Sequence, residues 1–220
     1  MPLPAIEIET APNPTHVVIW LHGLGADGHD FEPIVPELVD RSWPALRFVF
    51  PHAPVRPVTI NGGMQMRAWY DITGMEIAQR QDERGMRVSI VQIEELIARE
   101  VARGIPGSNI LLAGFSQGGA IVLAAGVRHA QKLGGIVALS TYLPMAEKTA
   151  AEASAANRDI PVFFGHGTFD PVVPLVLGEM SRNQLQGLGY SIEWHTYPMA
   201  HQVCAEEIAD LRRFIGARIA

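Results

Sequence analysis

Ile110-Leu111-Leu112-Ala113-Gly114-Phe115-Ser116-Gln117-Gly118-Gly119-Ala120 is the stretch whose reading decides the fold. An apolar run of strand type ends in Gly-x-Ser-x-Gly. A small-residue run of helical type, Ala120-Ile121-Val122-Leu123-Ala124-Ala125, follows at once. A strand that turns sharply into a helix at a serine has the geometry of a nucleophile elbow. Glycines two residues either side of Ser116 leave the backbone free to bend where a Cβ would clash. The hydroxyl then stands at the top of a sheet, over the positive end of a helix. The pentapeptide alone also fits a plain turn of small residues, so a base and an oxyanion site must be sought elsewhere in the chain.

Working outward, strand and helix patterns alternate. Ile6 and Ile8 alternate with Glu7 and Glu9 as a half-exposed strand, and residues 16–21 form an apolar strand buried on both faces. Three glycines follow in His22-Gly23-Leu24-Gly25-Ala26-Asp27-Gly28. A helix is expected over about 29–39, with Phe31, Ile34, Leu38 and Val39 on one face, then a strand at 46–50. Residues 51–85 lack periodicity but carry Ile60, Met64, Met66, Trp69, Tyr70, Ile72 and Met75. They suit a covering loop beside an apolar substrate, or a loop that buries these groups. A helix over 85–102 presents Ile90, Ile93, Ile97 and Val101. Beyond the elbow come a strand at 136–140, a helix near 147–156, a strand at 162–165, a helix over 174–188, a strand at 191–197 and a last helix over 202–218. The inner stripe of the last helix is read as Cys204, Ile208, Leu211 and Ile215. This order predicts an α/β fold, a mostly parallel sheet with helices on both faces. No composition shift divides the chain, so one domain is expected over 1–220. The stretch between Ser116 and Asp170 holds one strand, a short helix and another strand, which leaves no room for a cap domain.

The totals narrow the function. Net charge is −6 with no basic run, which argues against a nucleic-acid partner. The single cysteine, Cys204, excludes an internal disulfide and permits a reducing compartment. No signal peptide is readable at the start, and no apolar run approaches the ~20 residues of a membrane span, so a cytoplasmic protein without stable membrane insertion is expected. Exposed apolar loop residues could serve a homodimer as well as a substrate.

A serine hydroxyl needs a base, and the base an orienting group. Sites in open parallel sheets lie beyond the carboxyl ends of the strands. His22, His166, Asp170 and His201 occupy such positions; His16, His52, His129 and His195 are set aside. The elbow architecture expects serine, acid and histidine in that order. His195 lies inside a strand, so His201 is the better base, with Asp170 as its partner. Read alone, Asp170-Pro171 is a turn and helix-start signal. The oxyanion donors are the amide of Gln117 and one from the His22–Gly25 loop, with Leu24 the candidate. That loop lacks both Gly-x-Gly-x-x-Gly and a P-loop lysine, which argues against phosphate binding. No histidine pair stands at i, i+4 and no His-Glu-x-x-His occurs, so no metal and no other cofactor is expected. His22 and His166 are read as braces of their loops.

Four segments, His22-Gly23-Leu24-Gly25, Gly114-Phe115-Ser116-Gln117-Gly118-Gly119, His166-Gly167-Thr168-Phe169-Asp170-Pro171-Val172-Val173-Pro174 and Met199-Ala200-His201, resemble the small carboxylesterases of the acyl-protein thioesterase and lysophospholipase family. Arg67-Ala68-Trp69-Tyr70-Asp71-Ile72 is similar to its substrate loop, and Ser140-Thr141-Tyr142-Leu143-Pro144 to its strand-end segment. The resemblance covers nearly the whole chain. It implies a capless α/β-hydrolase fold, with Ser116 as nucleophile, His201 as base, Asp170 as its partner, and Leu24 and Gln117 as oxyanion donors. It implies Ile72, Tyr142 and Val172 as residues of an acyl groove, with Trp69 in the substrate loop. Thr141 departs from the family pattern and bears on the groove's shape. The expected function is hydrolysis of carboxylic esters of short to medium acyl chains through an acyl-enzyme. An acyl-protein thioesterase or lysophospholipase acting on long acyl chains is the alternative, and a non-catalytic binding protein on the same fold is a remote one.

Overall fold

Nine strands and six helices carry the chain in the computed structural model, which describes residues 3–74 and 82–219. The strands are β1 (Ala5–Glu9), β2 (His16–Leu21), β3 (Leu46–Pro51), β4 (Val55–Val58), β5 (Met64–Arg67), β6 (Ile110–Phe115), β7 (Gly135–Leu139), β8 (Val162–Gly167) and β9 (Ile192–Tyr197). The helices are α1 (Val35–Leu38), α2 (Glu83–Ala102), α3 (Gln117–Arg128), α4 (Ala146–Glu152), α5 (Leu175–Gly187) and α6 (Ala205–Ile219). Seven strands form one sheet in the order β1-β3-β2-β6-β7-β8-β9, and only β1 runs antiparallel to its neighbour.

The apolar strands explain this layout. Successive side chains on a strand point to opposite faces, so a strand apolar at every position needs cover on both sides. Val17, Ile19, Leu112, Ile136 and Phe164 share one core with Met86, Ile93 and Ile97 of α2 and with the inner face of α3. Their neighbours Val18, Trp20, Leu111, Ala113, Val137 and Phe163 share the other with Leu38 of α1 and Leu211, Phe214 and Ile215 of α6. The fold is that of an α/β-hydrolase, and no cap domain stands among the described residues.

Four local expectations change. The helix expected over 29–39 shortens to a 3-10 turn, Glu32–Ile34, followed by the single turn of α1. Pro33 and Pro36 remove two amide donors in that span, which leaves too few bonds for a longer helix. The segment 51–85 holds a hairpin, since β4 and β5 pair antiparallel around Gly62 and Gly63, both at positive φ. The Asn61-Gly62-Gly63 run was the available signal for it. Met75 lies outside the described residues. Val101 is exposed, and α2 instead turns Met86, Ser89, Ile93, Leu96, Ile97 and Glu100 inward. The buried Glu100 carboxylate is held by Arg47 at 2.6 Å, Arg99 at 3.0 Å and Arg103 at 3.1 Å. Cys204 precedes α6 and is half-buried, while Glu207 and Phe214 take buried places on its inner face.

Glu207 is fully buried against Gly165, and neither carboxyl oxygen has a hydrogen-bond partner. Burial, with Asp210 adding repulsion, pushes its pKa up to about 8. A raised carboxyl pKa stabilises the fold where the acid is protonated in both states, and that stability is lost as pH rises from the unfolded value towards 8. Glu207→Gln is therefore expected to raise the melting temperature at pH values near 8 and to change it little near pH 5. Equal shifts at both pH values in thermal melts would contradict the assignment.

Candidate active site

Ser116 stands between β6 and α3 with φ 54° and ψ −118°, a backbone conformation that costs a non-glycine residue about 1–3 kcal/mol. Neighbouring bonds hold it there. Its N–H donates to Leu139 O on β7 at 2.8 Å. Its carbonyl accepts from Ala120 N at 3.1 Å and from the Thr141 hydroxyl at 2.6 Å. The elbow glycines are required by contact. A Cβ on Gly114 would lie 2.5 Å from the Gly118 carbonyl, and one on Gly118 would lie 2.6 Å from His22 O. Thr141 is fully buried and packs on Gly119, so it braces the elbow and does not line a groove.

Two further loops meet Ser116. His201, after β9, places Nε2 at 2.9 Å from Ser116 Oγ and Nδ1 at 2.7 Å from Asp170 Oδ2. The Asp170 side chain has no solvent exposure. Its Oδ1 accepts the amides of Val172 and Val173, each at 2.8 Å, which leaves Oδ2 for the imidazole. The two loops are stitched together, since Thr168 N donates to Tyr197 O and Phe169 N to Met199 O. Gly167 permits the crossing, because a Cβ there would meet the carbonyls of Met199 and Ala200. His166 lies behind Asp170, and its Nε2 donates to Val173 O at 2.8 Å. Burial depresses its pKa, so the ring stays neutral near pH 7 and leaves Asp170 to His201.

The third component is the loop after β2. A Cβ on Gly23 would lie 3.6 Å from Ser116 Cβ, so this loop runs beside the hydroxyl. His22 Nδ1 donates to Gly23 O at 2.7 Å, and its Nε2 accepts Ala53 N at 3.1 Å. Burial lowers its pKa to about 4, which keeps that acceptor free of a proton. Gly25 N and Ala26 N are spent on Arg67 O and Gly23 O, while the amide of Gln117 opens α3, where the first turn has no intrahelical acceptors. An arrangement of this kind can move a proton from a hydroxyl to an imidazole and stabilise the anion that forms.

Of the candidate substrate contacts, Ile72 is half-buried, Tyr142 is buried with its hydroxyl 2.7 Å from that of Tyr70, and Val172 is exposed beside Asp170. Trp69 has no exposed surface and does not line a substrate surface. Its three polar groups are all engaged: N with Gln117 Oε1 at 2.7 Å, Nε1 with His22 O at 2.9 Å, and O with the Ser89 hydroxyl. Sequence reasoning also passed over His52, which follows β3 and accepts Gly28 N at 3.0 Å. A groove along α2 between Glu83 and Glu95 includes none of these residues in its lining.

The sequence profile of the phospholipase/carboxylesterase family matches residues 3–219. The chain belongs to that family of α/β-hydrolases. A relative called acyl-protein thioesterase 1, from Cryptococcus neoformans, is 39% identical over 98% of both chains. Among solved structures, Arabidopsis thaliana SOBER1 superposes with a TM-score of 0.88 at 28% identity, covering 93% of this chain and 99% of its own. Zea mays acyl-protein thioesterase 2 gives 0.83 at 26%, covering 98% and 99%. Ser116, Asp170 and His201 follow β6, β8 and β9 on loops at the carboxyl edge of the sheet. Among the described residues no helix is long and apolar enough to cross a membrane.

The depressed pKa of His22 has a consequence for stability. The unfolded histidine binds a proton below about 6.5 and the folded one only near 4, so acidification through this window favours unfolding. The loss is on the order of 3 kcal/mol. Melts of the native protein and of His22→Gln from pH 7 to pH 4 are expected to show the steeper acid loss in the native protein; parallel curves would argue against a neutral buried His22.

Proposed function

We propose that the protein is a serine hydrolase that removes long acyl groups from thioesters and esters, with Ser116, His201 and Asp170 as its catalytic residues. The observation that carries this reading is the bridging of Ser116 Oγ and Asp170 Oδ2 by the two nitrogens of one imidazole, at 2.9 and 2.7 Å. His201 takes the proton as Ser116 attacks the acyl carbonyl, and Asp170 holds the ring's orientation and stabilises the imidazolium. The amides of Gln117 and Leu24 receive the oxyanion. Collapse of the tetrahedral intermediate expels the thiolate or alkoxide, which His201 protonates. Water then enters by the same base catalysis and frees the acid.

Acyl-protein thioesters are favoured over small soluble esters by the names of two relatives, acyl-protein thioesterase 1 and 2. Apolar surface suited to an acyl chain is present at the half-buried Ile72 and the exposed Val172 and Phe169. A reducing compartment such as the cytoplasm, where free thiols rather than disulfides prevail, suits a chain with a single cysteine.

Ser116→Ala is expected to lower kcat by roughly 10^4- to 10^6-fold, and Asp170→Asn by about 10^4-fold, while both stay folded. Turnover of an S-palmitoyl peptide should exceed that of an S-acetyl peptide in kcat/KM. A fall in kcat/KM beyond medium chains would return the assignment to a short-chain esterase, and full activity in Ser116→Ala would remove it altogether.

A further inference from the structure

Trp69 and the side chain of Gln117 do something that neither the triad nor the acyl groove requires. The two oxyanion amides come from different elements: Gln117 N from the start of α3, Leu24 N from the loop after β2. Their separation must hold to within a few tenths of an ångström if both are to reach one oxygen. The segment 67–70 is hydrogen-bonded to the Gln117 side chain on one side and, on the other, to His22 and Gly25, which lie either side of Gly23 and Leu24. Toward α3, Gln117 Oε1 accepts Trp69 N at 2.7 Å, and Gln117 Nε2 donates to Tyr70 O at 2.8 Å. Toward the loop, the Trp69 indole donates to His22 O at 2.9 Å, and Gly25 N donates to Arg67 O at 2.9 Å. The Ser89 hydroxyl of α2 fixes Trp69 O from behind. The neutral His22 ring carries the restraint to the next residue, because its Nδ1 donates to Gly23 O, immediately before Leu24.

We propose that Trp69 and the Gln117 carboxamide are positioning residues, which form a cross-brace that sets the distance between the two oxyanion donors. The inference rests on the proposed acyl transfer at Ser116 and adds to it a role for groups that touch no substrate. Trp69 is fully buried and every polar atom it has is used, which suits a strut and not a wall of the acyl site. The Gln117 side chain is likewise consumed at both of its polar ends, while its backbone amide stays available. Buried hydrogen bonds in a dry network resist displacement, because breaking one leaves its partner unsatisfied.

Trp69→Phe keeps an aromatic ring in the buried site but removes the indole donor together with the pyrrole part of the bicycle, so some packing is lost with the bond. Gln117→Met keeps volume and backbone N–H and deletes both side-chain bonds. With p-nitrophenyl butyrate, each is expected to lower kcat about 10- to 100-fold with KM within about twofold of native, since the loss falls on the transition state. Binding of a butyl trifluoromethyl ketone, whose adduct carries the oxyanion, should weaken by a similar factor. The double variant should lose less than the product of the single losses, because both changes cut one strut. Amide resonances of Leu24 and Gln117 should both move in Trp69→Phe, whether or not ester is turned over. Raised KM with unchanged kcat, or a Leu24 resonance that stays in place, would overturn the brace. Lack of turnover by the native protein, with the resonances moving as described, would instead strike the proposed reaction and leave the brace standing. If Trp69→Phe proves unstable in thermal melts, Gln117→Met carries the same comparison.

Discussion

The close approach of α3 to the ends of β2 and β6 is the constraint on which the site depends. Gly118 lies against the carbonyls of Leu21 and His22, and Gly114 against the carbonyl of Gly118. No side chain fits at either contact. Because the helix starts flush against both strands, the residue between them must turn through a positive φ, and Ser116 accepts that strain. The same contact brings the loop after β2 alongside the serine. The elbow and the loop after β2 are thus one packing event, buttressed by the bonds that Leu139 and Thr141 make to the Ser116 backbone.

The remaining loops are held by buried polar groups. Asp170 divides its oxygens between two backbone amides and His201, so its position is fixed before any reaction begins. His166 and His22 have depressed pKa values for the same reason, desolvation, and both serve as neutral braces. A charge on His166, 3.7 Å from Asp170 Oδ2, would compete with His201 for the carboxylate. The chain therefore spends several buried hydrogen bonds on geometry around a site whose reacting groups are few.

Much of this was legible before the fold. Continuous apolar strands require cover on two faces, so residues 16–21 and 110–115 announce a sheet sandwiched between helices. Gly-x-Ser-x-Gly after such a strand announces the elbow, and chain order selects Asp170 and His201 as the residues to meet it. Patterns failed where periodicity was short or interrupted. The hairpin of β4 and β5 has four residues per strand and few β-branched groups, and α1 is cut by two prolines. Val101 was misplaced because a purely apolar stripe ignores Ser89 and Glu100, which earn their buried positions through hydrogen bonds.

The sequence by itself determined the α/β class and pointed to the serine, acid and histidine that meet in the structure, because strand periodicity and chain order together narrow the candidates where each motif alone has other readings. Tertiary structure alone decided what Trp69, Gln117, His52 and Thr141 do. Trp69 and Gln117 are separated by 48 positions yet joined by a 2.7 Å bond, and no local pattern encodes a hydrogen bond between distant loops. An apolar residue in a glycine-rich, irregular region reads equally as substrate wall or buried strut until packing settles which of its faces, if any, meets solvent.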